Sequence, residues 1–273
     1  MQKPKKDSAL RRTIGQLGLT KITGWAILGL GALALAVSIV YSSSTLAIIG
    51  LGMIFWGVIL TYIRNEEYVK ELIFQSVGNS SFSSLNHILQ QMGYSNKAIY
   101  LPPRYFKDPE TSKAYLPKQQ DEKPPTPEQI QTQEMHLFTE NPKGMLTTPP
   151  GLELTKLFEK RLETSFTKED LSYVERNLPK LLTEDLEIAQ SVEIRNEATK
   201  ITIRIENSPF SNLCNEAKAF TNAYNVLGSP LASALACALA KATGKCIIIQ
   251  KETTDNKNIE IEYKLLPEEP PKA

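Results

Sequence analysis

ITGWAILGLGALALAVSIVYSSSTLAIIGLGMIFWGVILTYI, residues 22–63, holds no Asp, Glu, Lys or Arg, and its one polar cluster is the triple serine at 42–44. As a single helix it would extend roughly 60 Å at about 1.5 Å per residue, about twice the roughly 30 Å hydrocarbon core of a bilayer. Divided at Ser42, Ser43 and Ser44 it becomes two segments, 22–41 and 45–63, each close to the length of a spanning helix. Lipid admits helices because their backbone amides are satisfied without water. Two helices buried in a soluble core fit less well, since such helices seldom run this far without a charge. The stretch reads as a transmembrane helical hairpin, its partner the lipid bilayer.

The serines suit a tight connection, with Ser44 placed to cap the second helix. Tyr41, Tyr62 and Trp25 fall near segment ends, where amphipathic rings prefer the headgroup layer, while Trp56 lies deeper. The arm over residues 1–21 carries Lys3, Lys5, Lys6, Arg11, Arg12 and Lys21 against Asp7, and the inter-span turn carries no charge. The positive-inside rule keeps such an arm cytoplasmic, and two spans return the chain to the same side at Arg64. The protein is expected to be integral to the cell membrane with both termini cytoplasmic. A secretory signal peptide is excluded by the length of the first run and the second span that follows it. Gly29, Ala32 and Ala36 share one face of the first segment, and Gly50 and Gly57 one face of the second. These faces fit either packing of the hairpin on itself or a homo-oligomer. With no ionisable residue inside either segment, an ion or proton path has no support.

Charge over the whole chain is nearly balanced, with 31 Lys and Arg against 30 Asp and Glu. That excludes nucleic acid as the expected partner, since phosphate binding needs a basic excess or stripe. Cys214, Cys237 and Cys246 match neither a metal spacing nor a disulfide framework. No metal and no cofactor is expected.

The fold class expected from periodicity is α+β, the anchor being followed by a cytoplasmic domain that ends in a ββααββ arrangement. Residues 64–117 read as helices and short strands. RNEEYVKELIFQSVG forms one helix stopping near Gly78 and SSLNHILQQMG another stopping at Gly93. AIYLPP and KAYLPK follow as matching pieces whose prolines suit edge strands. Residues 118–133, rich in Pro, Gln and Glu, read as a flexible loop. The main domain is placed at 134–266. MHLFTENPKGMLTTPPG returns a strand, GLELTKLFEKRLETSF a helix, and TKEDLSYVERNLPKLLTEDL a helix with a threonine cap and a break or bend at Pro179. SVEIRNEATKITIRIEN reads as a hairpin turning at Asn196, and NLCNEAKAFTNAY as helical. Ser229 caps and Pro230 starts LASALACALAKAT, an Ala/Leu-rich buried helix stopped by Gly244. KCIIIQKETTDNKNIEIEYKLL closes the domain as a hairpin with its turn at TTDNKN, and residues 267–273 form a disordered tail.

The two-span anchor, the YLPP and TPPG pieces, GLELTKLFEK and GSPLASALACALAKATGK resemble a family of uncharacterised archaeal membrane proteins. More distantly, GSPLASALACALAKATGK through IIIQKETTDNKNIEIEYKL is similar in layout to the small-molecule-binding domain of the 4-vinyl reductase type. That domain carries cysteines around its last hairpin, where this chain has Thr253, Thr254 and Asp255. The resemblance implies a ligand site along the glycine-led helix, at Gly228, Ser229, Ser233 and Cys237. The start at GSP also suits either an anion or ordinary capping. ATGK does not complete a phosphate loop: Leu239 stands where its first glycine belongs, and Cys246 follows the lysine. His87 and His136 lie in different segments with no triad or metal partner in evidence.

No catalytic set is assembled by these residues. The function that follows is a membrane-anchored cytoplasmic module that binds or senses a small apolar or anionic ligand. The alternative is a structural or assembly protein that oligomerises or holds protein partners at the membrane.

Overall fold

Two helices, α1 (Leu19–Tyr41) and α2 (Ser44–Tyr62), make up the described part of the first of two units, Met1–Lys70 and Glu71–Ala273. The computed structural model describes residues 19–62, 71–108, 110–119, 124–133 and 136–267. The basic arm before Leu19, Arg64 to Lys70, residues 120–123 of the Pro-rich loop and the tail from 268 lie outside the described residues.

Both helices are long and apolar enough to cross a membrane. Their large side chains face outward: Leu33, Ile39, Ile48, Leu51 and Phe55 are all more than 60% exposed. The helices run antiparallel and meet through small residues. A methyl on Gly31 would stand 2.8 Å from Ile54 N, one on Gly57 2.8 Å from Leu28 N, and one on Gly24 2.6 Å from Thr61 Oγ1. Gly50 and Gly57 thus lie in the contact as expected, but Gly29, Ala32 and Ala36 do not: Gly29 faces open space and both alanines are exposed. The seam follows Gly24, Gly31 and Ser38 instead, because contacts between nearly aligned helices recur about every seven residues. Ser44 begins α2, so the cap position falls to Ser43, whose carbonyl accepts from Ala47 N–H (3.2 Å) and Ser38 Oγ (2.8 Å).

The second unit is mixed α+β. Its strands are β1 (Ile99–Tyr100), β2 (Ala114–Pro117), β3 (Phe138–Glu140), β4 (Lys143–Thr147), β5 (Ser191–Glu197), β6 (Lys200–Glu206), β7 (Ile247–Asp255) and β8 (Asn258–Leu265). They form one antiparallel sheet in the order β3-β4-β2-β1-β7-β8-β6-β5. Its helices are α3 (Glu71–Met92), α4 (Pro127–Gln133), α5 (Leu152–Leu162), α6 (Leu171–Lys180), α7 (Ser211–Ala217), α8 (Thr221–Leu227) and α9 (Pro230–Thr243). Alternation decides which sheet face is dry: Ile201, Ile203 and Ile205 of β6 and Ile259, Ile261 and Tyr263 of β8 are buried towards the helices. The opposite side of β6 and β8 carries Arg204–Glu260 (3.0 Å) and Lys200–Glu262 (3.0 Å) pairs, a solvated charge ladder. Over β1, β2 and β4 that side is covered by Tyr105, Phe106 and Ile130, which pack on Ile99, Tyr115 and Leu146.

Several elements depart from the sequence expectation. AIYLPP and KAYLPK supply interior strands, not edges; Pro102 lies beyond β1 and Pro117 ends β2, where the missing N–H does little harm. The two helices expected before Gly93 are one, α3, which passes through Gly78. Part of the expected flexible loop is α4, held by the buried Ile130. The cap of α6 is Asp170, whose side chain accepts from Tyr173 N–H at 2.8 Å, and not Thr167. Pro179 sits inside α6, and a π-type turn over Leu181–Asp185 follows it. The hairpin of β5 and β6 turns at Ala198–Thr199 instead of Asn196. Three helices rather than two stand between the hairpins, so the ending is ββαααββ, because the region after β6 breaks between α7 and α8. In the last hairpin only Asn256 and Lys257 turn; the β-branched Thr253 and Thr254 extend β7.

At the centre lies α9. Every residue from Leu231 to Lys241 is buried, between the sheet and the pair α5 and α6. The window Thr221–Thr243 also has the length and composition of a membrane span, but 83% of it is buried, so it is core.

Candidate functional site

Gly228 has φ +73°, and a methyl there would meet Ile249 Cδ1 at 2.8 Å, so the turn into α9 requires glycine. Ser229 then caps α9, its Oγ accepting from Ala232 N–H at 3.2 Å. Its own N–H donates to Glu252 Oε2 at 2.9 Å, and the Cys214 thiol donates to its Oγ at 3.5 Å. Ser233 accepts from Gly151 N–H at 3.0 Å, and Cys237 is 2% exposed with its thiol pushed up to about 12 by burial. The four residues expected at a ligand site therefore lie along α9 and are engaged by neighbouring elements of the same chain. Tyr263 Oη donates to Ala232 O (3.0 Å) and Thr155 Oγ1 to Ala234 O (3.0 Å), joining this helix to β8 and α5, while Tyr100 Oη donates to Leu227 O (2.5 Å) and ties β1 to the end of α8.

The sequence reading missed Glu252. Strict alternation from Ile247 and Ile249 would send residue 251 inward and Glu252 to solvent. A bulge between Ile249 and Lys251 reverses the faces and turns Glu252 towards Ser229. Burial raises its pKa above the ordinary carboxylate range, against the opposing pull of the Ser229 hydrogen bonds and Lys218. Its Oε1 is buried and has no hydrogen-bond partner among the described residues. Cys214 beside it is pushed up to about 12, first by burial and then by Glu252.

A groove of about 490 Å³ opens on the opposite sheet face, at the junction of β1, β7 and β8. Ile99 and Ile248 give it an apolar floor, and Asn96, Lys97, Gln250 and Lys264 give it a polar wall. Neither lysine forms a salt bridge with a described residue. Lys264 stands directly opposite Lys200, and like charges in register oppose pairing, so this end of the sheet is held positive at a cost. Glu262, 3.0 Å from Lys200, offsets part of it. Desolvation lowers the pKa of Lys97, while the charge of Glu252 acts the other way. Asn96 donates to the carbonyls of Pro117 and Lys118, both at 3.2 Å, which fixes the rim.

The family model of a domain of unknown function, DUF7982, matches residues 7–264. The chain belongs to this family. The DUF7982 match takes in both apolar helices and the sheet through β8, so helices and sheet domain are parts of a single family unit. No curated protein and no solved structure matches the chain. Among the described residues of this DUF7982 protein no three His, Cys, Asp or Glu gather as a metal site.

Proposed function

We propose that the protein is a membrane-anchored cytoplasmic module that binds a small molecule bearing an anionic group and an apolar part. The observation that carries this reading is the groove beside β1 and β7, where Lys97 and Lys264 stand over an apolar floor formed by Ile99 and Ile248. Its volume falls within the range of small-ligand sites, and a few polar groups around apolar walls is their usual make-up. The anchor is supported by the apolar exterior of α1 and α2, and the cytoplasmic side by the basic arm. The layout similarity to the 4-vinyl reductase type of domain supports ligand binding as the class of function.

Thermal unfolding of the full chain in lipid nanodiscs tests the proposal, with hexanoate and phenyl phosphate as probes and hexanol as the uncharged control. A ligand that binds the folded state selectively at about 100 times its Kd adds about 2.7 kcal/mol. For a domain of this size that is a rise on the order of 5–10 °C. The rise is expected with the anions and is expected to vanish in the Lys97→Glu, Lys264→Glu double variant. No shift with either anion, or an equal shift with hexanol, overturns the reading.

A further inference from the structure

β5 ends the sheet, and its outer edge faces solvent. Hydrogen-bond parity decides what that edge offers. Leu265 N–H donates to Thr199 O at 2.8 Å, which marks the Lys200–Lys264 pair as a non-hydrogen-bonded one in the β6–β8 ladder. The odd residues of β6 therefore bond β8 and its even residues bond β5. Across the register Ser191↔Glu206, Glu193↔Arg204 and Arg195↔Thr202, it is Ser191, Glu193 and Arg195 that spend their backbone groups on β6. Val192, Ile194 and Asn196 turn theirs outward, and among the described residues nothing accepts or donates to them.

Natural sheets guard such an edge with proline, lysine, a bulge or a very short strand. β5 has no proline, lysine or bulge and runs for seven residues, SVEIRNE, in unbroken register with β6; the charges it does carry, Glu193, Arg195 and Glu197, are of both signs. We infer that β5 is the seam of a homodimer, in which the same strand of a second copy pairs with it antiparallel about a two-fold axis at Ile194. An isologous contact requires the strand to complement itself, and this one does. About that axis Ile194 faces its own copy as a hydrogen-bonded pair and Val192 faces Asn196. Glu193 faces Arg195 twice over. In the single chain these two side chains pair with each other along the strand at 2.9 Å, more than half exposed, with Arg204 of β6 opposite Glu193.

Charge reversal tests the seam on the full chain in detergent, with mass read by light scattering after the micelle is subtracted. The unaltered protein is expected at the dimer mass. Glu193→Arg places arginine against arginine, Arg195→Glu places acid against acid, and each is expected at the monomer mass while still melting cooperatively, the first a little lower because the introduced arginine then stands opposite Arg204 of β6. Mixed in equal amounts the two variants complement each other and the dimer mass returns, as it does in the exchanged double variant E193R/R195E. A monomeric unaltered protein overturns the inference. So do single variants that keep the dimer mass, which is the result if α1 and α2 alone drive association, and so does a mixture that stays monomeric.

Discussion

Replacing Lys241 with methionine takes the ammonium out of a buried ion pair while leaving a side chain of similar length. Lys241 Nζ lies 3.1 Å from Glu159 Oε1 and 2.9 Å from Oε2, and the two side chains are 1% and 10% exposed. Glu159 Oε1 also accepts from Ser165 Oγ at 3.0 Å and Phe166 N–H at 2.9 Å. After the substitution the carboxylate keeps those two neutral donors and loses its only cation among the described residues. Removing one partner of a buried pair costs roughly 3–5 kcal/mol, because the other charge remains in a poorly solvating interior. The two surviving hydrogen bonds place K241M near the lower end, about 3 kcal/mol. At roughly 2–4 °C per kcal/mol for a domain of this size, the melting temperature falls by about 6–12 °C. Calorimetry of the full chain in nanodiscs measures it. The double variant E159L/K241M, which removes both charges, is expected to recover most of the loss. A K241M cost under about 1 kcal/mol, or a double variant no more stable than the single one, would refute an uncompensated buried charge as the cause.

Three further outcomes follow from the same packing. Glu252 has its folded-state pKa raised by burial, so its contribution is intact below the ordinary carboxylate range and is lost as pH rises through the raised value. E252Q should therefore gain on the unaltered protein as pH climbs, and a melting difference that stays flat with pH would contradict this. Gly151→Ala sets a methyl 2.1 Å from Ala234 N, a backbone atom that cannot swing aside, so the start of α5 must lift from α9. Overpacking of this kind costs about 1–3 kcal/mol, and a melting temperature within a degree of the original would show that the contact yields freely. A cysteine at position 43 should react with an impermeant thiol reagent on intact cells while one at position 191 does not; labelling at 191 would overturn the cytoplasmic placement.

How much could be read from residue patterns depended on whether local rules decided the outcome. The α9 start at Gly228, Ser229 and Pro230 and its stop at Gly244 were legible because each position demands a particular backbone state. That Val192 and Ile194 share a face with Ile201, Ile203 and Ile205 followed from simple alternation, but their register did not, because the turn lies at Ala198–Thr199 and not at Asn196. Edges and interiors were not legible, because AIYLPP is an interior strand only by virtue of β7, almost 150 residues later. Gly78 stopped nothing, since a single glycine costs a helix only about 1 kcal/mol and packing outweighs it. Glu252 was hidden for a different reason: the bulge that turns it inward has no signature in IIIQKETTD, and without the bulge the residue counts as one more solvated acid.

The pairing of Ile99 with Ile248 and Tyr100 with Ile247 sets an order of events during biosynthesis. The middle of the sheet cannot close until the last hairpin has cleared the ribosome, and at about 5–20 residues per second the early strands wait many seconds for their partners. During that interval β1 offers an unpaired flank to chaperones and proteases. A message cut short before codon 247 yields a polypeptide without β7 and β8, the strands that join the two halves of the sheet, and pulse-chase labelling should find it degraded within minutes while the chain that carries them persists.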